Sequence, residues 1–237
     1  NPSKPATVDP AKIIQAIRQC DVTNSFGSPV LWKKIGGYCQ ANGITLPSLR
    51  RILMAGSSVP PHLFRDFKEI LPQGVVHSPY GATEILPVSS IVGEQALEET
   101  AELTERGRGT CVGKPLPGVE VRIGKISDDW LGKEALEDAL PPGEVGEIIV
   151  SGPSVTREYD NLPEATNRSK IRTEDCIWHR MGDLGYLDEK GRLWFCGRLA
   201  ERIQIGKKTY LTDCCEGVFN ALPDVYRSAL VSLEKDG

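Results

Sequence analysis

Three kinds of segment are missing from this chain, and each absence narrows what it can do. No apolar run approaches the roughly 20 residues that a helix needs to cross a bilayer, so no transmembrane segment is expected. The N-terminus lacks the basic-then-apolar build of a secretion signal. No C-x-x-C occurs, and the seven cysteines are scattered apart from the adjacent Cys214-Cys215. An odd, dispersed set suits reduced thiols and a cytoplasmic location. Nor is there a basic surplus: 28 Lys and Arg against 32 Asp and Glu leave a net charge of -4. That offers no basic face to nucleic acid and no polybasic patch to a membrane, and it points to a small-molecule partner. The 237 residues are otherwise ordinary for a globular protein, enough for one large domain or two. The first residue is Asn, not Met, as in a fragment or a processed product.

Residues 1–106 read as alternating helix and strand. Asp9-Pro10 is an N-cap followed by proline at the first helical position, and Ile13, Ile14 and Ile17 share one face. A strand is expected over 22–26, broken by Gly27-Ser28-Pro29. A helix carrying Leu31, Ile35, Tyr38 and Cys39 then closes near Gly43. Residues 51–55 form a short apolar strand ending in Gly56-Ser57-Ser58, and Pro60-Pro61 opens a helix with Leu63, Phe64, Phe67 and Ile70. Strand, glycine turn and helix make the βα unit of an α/β sheet, whose ligands gather at the carboxyl ends of strands. Residues 93–106 are acidic and read as a solvated helix or loop.

From Gly107 to Arg198 glycines and prolines separate short apolar runs at 119–123, 146–150, 184–187 and 193–196, with Asp188-Glu189-Lys190-Gly191 as a turn. These read as antiparallel strands of a small barrel or sandwich. Residues 199–237 carry a strand at 202–205, a short helix at 216–222 and a strand at 226–233, too little for a complete domain.

The run His77-Ser78-Pro79-Tyr80-Gly81-Ala82-Thr83-Glu84 concentrates chemistry. Tyr80 offers a face for a base, and Gly81 lets the backbone approach without a Cβ. Thr83 can donate to a phosphate, and Glu84 is a hard oxygen ligand for Mg²⁺. The same run also reads as a strand end, a Tyr-Gly turn and a helix-starting Thr-x-x-Leu. Further on, Gly182-Asp183 can accept ribose hydroxyls and Gly197-Arg198 adds a guanidinium. Two other runs are decoys. Residues 107–113 have one residue too many for G-x-G-x-x-G, and Gly113-Lys114 is followed by Pro115. Cys176 and His179 supply at most two metal ligands, and Cys214-Cys215 reads as two ordinary thiols.

Taken in order, these motifs resemble the acyl-adenylate-forming superfamily of acyl-CoA synthetases, luciferases and peptide-synthetase adenylation domains. The resemblance runs through Gly56-Ser57-Ser58, Tyr80-Gly81-Ala82-Thr83-Glu84, the 109–117 run and Gly143-Glu144-Val145-Gly146-Glu147. It continues through Tyr159-Asp160-Asn161-Leu162-Pro163-Glu164-Ala165-Thr166, Met181-Gly182-Asp183-Leu184 and Gly197-Arg198. It implies a partial α/β sheet subdomain (1–106), a β-barrel subdomain (107–198) and the start of a small α+β lid (199–237). It implies ATP, AMP and Mg as cofactors and a small-molecule carboxylic acid as substrate. Gly56, Ser57 and Ser58 would line the adenine pocket with Tyr80 and Gly81. Thr83 would meet the α-phosphate, Glu84 the Mg²⁺, Asp183 the ribose diol and Arg198 the ribose and phosphate. Thr83, Glu84 and Arg198 would be catalytic, and Phe26 and Pro79 would border the acyl pocket.

Residues 26–32, 50–56 and 220–231 look most like β-lactone synthetases of bacterial olefin biosynthesis, where a β-hydroxy acyl-adenylate closes on itself without CoA. That resemblance implies association with other lipid-pathway enzymes. Two alternatives stand beside it: a long-chain acyl-CoA synthetase using CoA, and a nucleotide- or acyl-binding module without turnover. The superfamily's phosphate loop and late lid lysine are not in the chain. The resemblance therefore implies a middle-and-end portion of a longer enzyme that does not adenylate alone. Ala200 stands at the hinge position that is usually Asp or Lys, and Gln204 at a common lysine position. Pro79 replaces a glycine, and Met181 a Thr or Ser. Ala200 and Gln204 bear on CoA chemistry, which relies on lid rotation.

Overall fold

A computed structural model describes residues 7–129 and 132–233, so the outer ends of the expected first and third modules lie outside the described residues. Two compact units are present. One holds the chain up to Tyr80 together with Ser90–Ala101, and the other holds Gly81–Ser89 and everything from Glu102 onward.

The first unit is α/β. Helix α1 (Pro10–Gln19) starts where Asp9 Oδ1 accepts from the Ala11 amide at 3.0 Å, and it buries Ile14 and Ile17. Strand β1 (Asn24–Gly27) leads to α2 (Pro29–Ala41), capped by Ser28 Oγ on the Leu31 amide. Strand β2 (Arg51–Met54) follows, then α3 (Pro61–Ile70) and β3 (Val75–Ala82). The three strands are parallel, with Asn24 beside Arg51 and Arg51 beside Val75. Trp32 of α2 meets Phe67 of α3 edge to face, with ring centroids 5.5 Å apart, in a core that includes Ile35, Ile52, Met54 and Leu63. Residues 93–105 are helical as α4 (Gly93–Gln95), a π turn (Ala96–Thr100) and α5 (Ala101–Glu105), with Ala96 and Thr100 buried.

The 80–84 run does not start a helix: β3 continues through Tyr80 and Gly81 to Ala82, Thr83 and Glu84 form a turn, and β4 (Ile85–Val92) follows. Pro87 hid that strand, since proline within a run argues against one.

The second unit is an antiparallel sheet built from β5 (Thr110–Pro115), β6 (Glu120–Gly124), β7 (Gly146–Ser151), β8 (Lys170–Arg172), β9 (Ile177–Leu187) and β10 (Leu193–Arg198). The order is β5-β10-β9-β7-β6, with β8 also on β9. Beside them lie α6 (Glu134–Glu137) and α7 (Pro163–Ser169), and β4 joins through Ser89 Oγ donating to the Val112 carbonyl at 2.8 Å. The Asp188 turn holds because its carboxylate accepts from the Lys190 and Arg192 amides, the Arg192 guanidinium and Trp194 Nε1.

A hairpin of β11 (Ile203–Ile205) and β12 (Lys208–Tyr210), then α8 (Thr212–Asn220), ends the regular structure. Asp213 of α8 accepts from Thr110 Oγ1 at 2.6 Å. The strand expected over 226–233 is not formed. A strand needs partners for its amides, and no neighbouring strand among the described residues supplies them. All seven cysteines are thiols. No helix among the described residues is long and apolar enough to cross a membrane.

Candidate active site

In the first unit, the residues expected around the nucleotide base and acyl chain come to the carboxyl ends of the parallel strands. Phe26 stands at the end of β1 with 64% of its surface exposed, and Gly56, Ser57 and Ser58 follow β2. Pro79 and Tyr80 lie half-buried toward the end of β3. The amide of Ala55 donates to the Gly27 carbonyl at 3.2 Å, which ties the β2 loop to the β1 end. This edge is where open α/β sheets hold ligands.

In the second unit, Gly81 packs so closely on the β4 backbone that a Cβ would lie 2.6 Å from the Ile85 carbonyl oxygen. Glycine is therefore required there, and the turn it permits sets Thr83 outward and Glu84 half inward. The Thr156 amide donates to the Glu84 carbonyl at 2.8 Å, and Tyr159 Oη donates to Glu84 Oε1 at 2.7 Å. Burial acts to raise the Glu84 carboxyl. The Tyr159 hydroxyl, its own amide and the Lys170 charge outweigh that and hold it below the usual carboxylate range.

Behind this carboxylate lie Lys170 and His179, registered partners across β8 and β9, only 4% and 3% exposed. Lys170 Nζ donates to Thr156 Oγ1 at 3.0 Å and stands 5.9 Å from the Tyr159 ring centroid. Burial lowers the Lys170 ammonium, and the Glu84 charge opposes that shift. His179 Nδ1 lies 3.1 Å from the Ser169 carbonyl, which makes it the protonated nitrogen of a neutral ring. Burial, helped by the Lys170 charge, depresses this imidazole to about 4.

Four residues further along β9, past an irregularity where Gly182 has a φ of +64°, is Asp183. Its buried carboxylate accepts from Arg198 Nη1 of β10 at 2.8 Å. Between the two positions Arg180 binds both oxygens of buried Glu147 and donates to the carbonyls of Ser127, Asp129 and Arg168. It clamps a loop and the end of α7 to the sheet.

The expected site residues thus form one group at the first unit's carboxyl edge and two groups in the second, Glu84 with Tyr159 and Asp183 with Arg198. Sequence reasoning assigned no role to Tyr159, Lys170 or Arg180 and set His179 aside. Tyr159 does fall within a run that carried the family resemblance, the one signal that could have marked it.

The chemistry of these groups can be tested against a nucleotide and its metal. An ionised Glu84, which takes the Tyr159 hydroxyl on Oε1, fits a magnesium site of the usual kind, in which one carboxylate is joined by phosphate and water oxygens. No three His, Cys, Asp or Glu side chains gather as a metal cage among the described residues. Asp183 accepts from Arg198 Nη1, and an ionised carboxylate, which only accepts, has the chemistry that suits sugar hydroxyls.

Comparison with known proteins shows a family and a fold. The model of a family described as AMP-binding enzyme matches residues 2–160. The olefin beta-lactone synthetase of Stenotrophomonas maltophilia is 41% identical over 243 aligned positions, covering all of this chain and 43% of that protein. Among solved structures, an amide bond synthetase from Marinactinospora thermotolerans superposes with a TM-score of 0.79 at 26% identity, covering 97% of this chain and 42% of its own. The Bacillus subtilis o-succinylbenzoate coenzyme A synthetase, in complex with ATP and magnesium, gives 0.75 at 25% identity over 97% and 43%. The chain thus spans less than half the length of these relatives.

Proposed function

The chain belongs to the AMP-binding enzyme family, and from that membership we propose that it is part of an ATP-dependent, AMP-forming ligase that activates a fatty or β-hydroxy fatty acid as the acyl-adenylate and then closes a β-lactone. The observation that carries the second step is the 41% identity along the whole chain to an olefin beta-lactone synthetase.

In this reading Gly56, Ser57 and Ser58 line the adenine pocket and Gly81 lets the backbone come close. Tyr80 stacks on the base. Thr83 donates to the α-phosphate, Asp183 accepts both ribose hydroxyls, and Arg198 reaches ribose and phosphate while steadying Asp183. Glu84 holds the magnesium, and Phe26 and Pro79 border the acyl chain. Magnesium, when bound, neutralises polyphosphate charge that would otherwise repel an attacking carboxylate. The residues of this chain do the aligning that makes in-line attack favourable.

Residues 107–198 then act as the β subdomain and 199–237 as the start of a mobile lid, in an enzyme of the cytoplasm that works beside other lipid-pathway enzymes. Ala200 cannot supply the usual hinge charge and Gln204 cannot act as a cation. An internal hydroxyl needs no organised thiol channel, because it attacks the activated carbonyl of its own molecule at high effective concentration.

The test gives the full-length enzyme ATP, Mg²⁺ and either a β-hydroxy or a plain long-chain acid, with and without CoA, and identifies the product by mass. Lactone and AMP from the hydroxy acid without CoA are expected. Thioester from the plain acid with CoA, and no lactone, makes it an acyl-CoA synthetase. Pyrophosphate release from neither acid makes it a binding module.

A further inference from the structure

The side chain that touches Glu84 has no part in the reaction as written above. Tyr159 is separated from Glu84 by 75 positions, yet its hydroxyl donates to Oε1 at 2.7 Å. The contact is built from several directions. The Tyr159 amide donates to Thr166 Oγ1 at 3.0 Å, and Thr166 Oγ1 donates to the Leu162 carbonyl, which fixes the Tyr159 backbone against the first turn of α7. The buried Lys170 ammonium stands toward the ring face, itself held by Thr156 Oγ1. Thr156 in turn donates its amide to the Glu84 carbonyl, so main chain and side chain of Glu84 are gripped by one continuous set of groups.

A carboxylate on a turn rotates about three single bonds, and a metal ligand that must be ordered on each binding event loses affinity to that freedom. A hydrogen-bond donor on one oxygen removes the freedom and leaves the second oxygen for the cation, as outer partners do for metal ligands generally. We infer that Tyr159 is the positioning residue for Glu84, holding one carboxylate oxygen so that the other is presented to the divalent cation of the bound nucleotide. This rests on Glu84 as the metal ligand.

The test uses the full-length enzyme with Tyr159→Phe, which keeps the ring and deletes the hydroxyl, and Glu84→Gln in parallel. Mn²⁺ affinity in the presence of ATP is read by electron paramagnetic resonance, and the Mg²⁺ dependence of pyrophosphate exchange is read beside it. Tyr159→Phe should weaken Mn²⁺ binding about 10- to 100-fold and raise the Mg²⁺ half-saturation in step, while kcat at saturating Mg²⁺ changes far less. Loss of Mn²⁺ affinity in Glu84→Gln with none in Tyr159→Phe overturns the inference and leaves the Glu84 assignment standing. A Tyr159→Phe enzyme that melts earlier but binds Mn²⁺ normally has the same meaning, since the bond is then only structural. Unchanged affinity in Glu84→Gln removes the assignment and the inference together.

Discussion

Arg198 reaches Asp183 because β10 carries one residue more than its partner strand. Leu193, Trp194 and Phe195 pair with Leu187, Tyr186 and Gly185, but the register slips by one before Gly197, which pairs with Leu184. Arg198 then falls opposite Asp183. In an unbulged ladder it would face Gly182, and its side chain would leave by the other face of the sheet. Gly197 makes the bulge possible: its φ is +139°, and a Cβ there would collide with Thr212.

The pair bears on nucleotide binding more than on stability. Arg198 is 56% exposed, and an ion pair with one exposed partner contributes little to folding. Asp183→Asn in the full-length enzyme should therefore shift the unfolding midpoint only slightly. It should weaken ATP binding by about 10- to 100-fold, the loss expected for charge-assisted hydrogen bonds to the ribose. Calorimetric titration with ATP measures it, and an unchanged affinity removes Asp183 from the site.

The opposite balance holds for Arg180 and Glu147. Their side chains are 8% and 1% exposed, and Arg180 also satisfies three backbone carbonyls. Removing one member leaves the other buried without its counter-charge. Arg180→Met should cost about 3 to 5 kcal/mol in urea unfolding. A loss below about 1 kcal/mol would mean that water reaches Glu147 readily in the folded state.

His179 makes stability depend on pH in a stated direction. Its folded value of about 4 lies below the ordinary 6.5, because burial and the Lys170 charge disfavour the imidazolium. Between those limits the unfolded chain binds a proton that the folded chain refuses. The contribution is complete above pH 6.5 and is lost as pH falls toward 4, up to about 3 kcal/mol in all. Urea midpoints across that range should fall more steeply for the parent than for His179→Gln. Parallel slopes would contradict the assignment of a neutral, buried ring.

The sequence by itself determined what short-range chemistry determines. The N-caps at Asp9 and Ser28, the prolines opening α1, α2 and α3 and the spacing of Ile14 and Ile17 place helices because a helix satisfies its own backbone within a few residues. The Asp188 turn and the apolar runs of β6, β7 and β10 are local in the same sense. The ordered motifs made the family and the mixed α/β class legible, since each motif is a few consecutive residues.

Tertiary structure decided everything that needs a distant partner. A strand exists only when another supplies its hydrogen bonds, so β4 forms across Pro87 while the apolar run at 226–233 stays without strand structure. Tyr159 reaches Glu84 across 75 positions, and Arg180 gathers carbonyls up to 53 positions away. Lys170 meets His179 only through the β8·β9 register, and Arg198 finds Asp183 only through a one-residue bulge. Side chains alternate faces along a strand, so a register set by the whole sheet, invisible in any window of sequence, decides which of them meet.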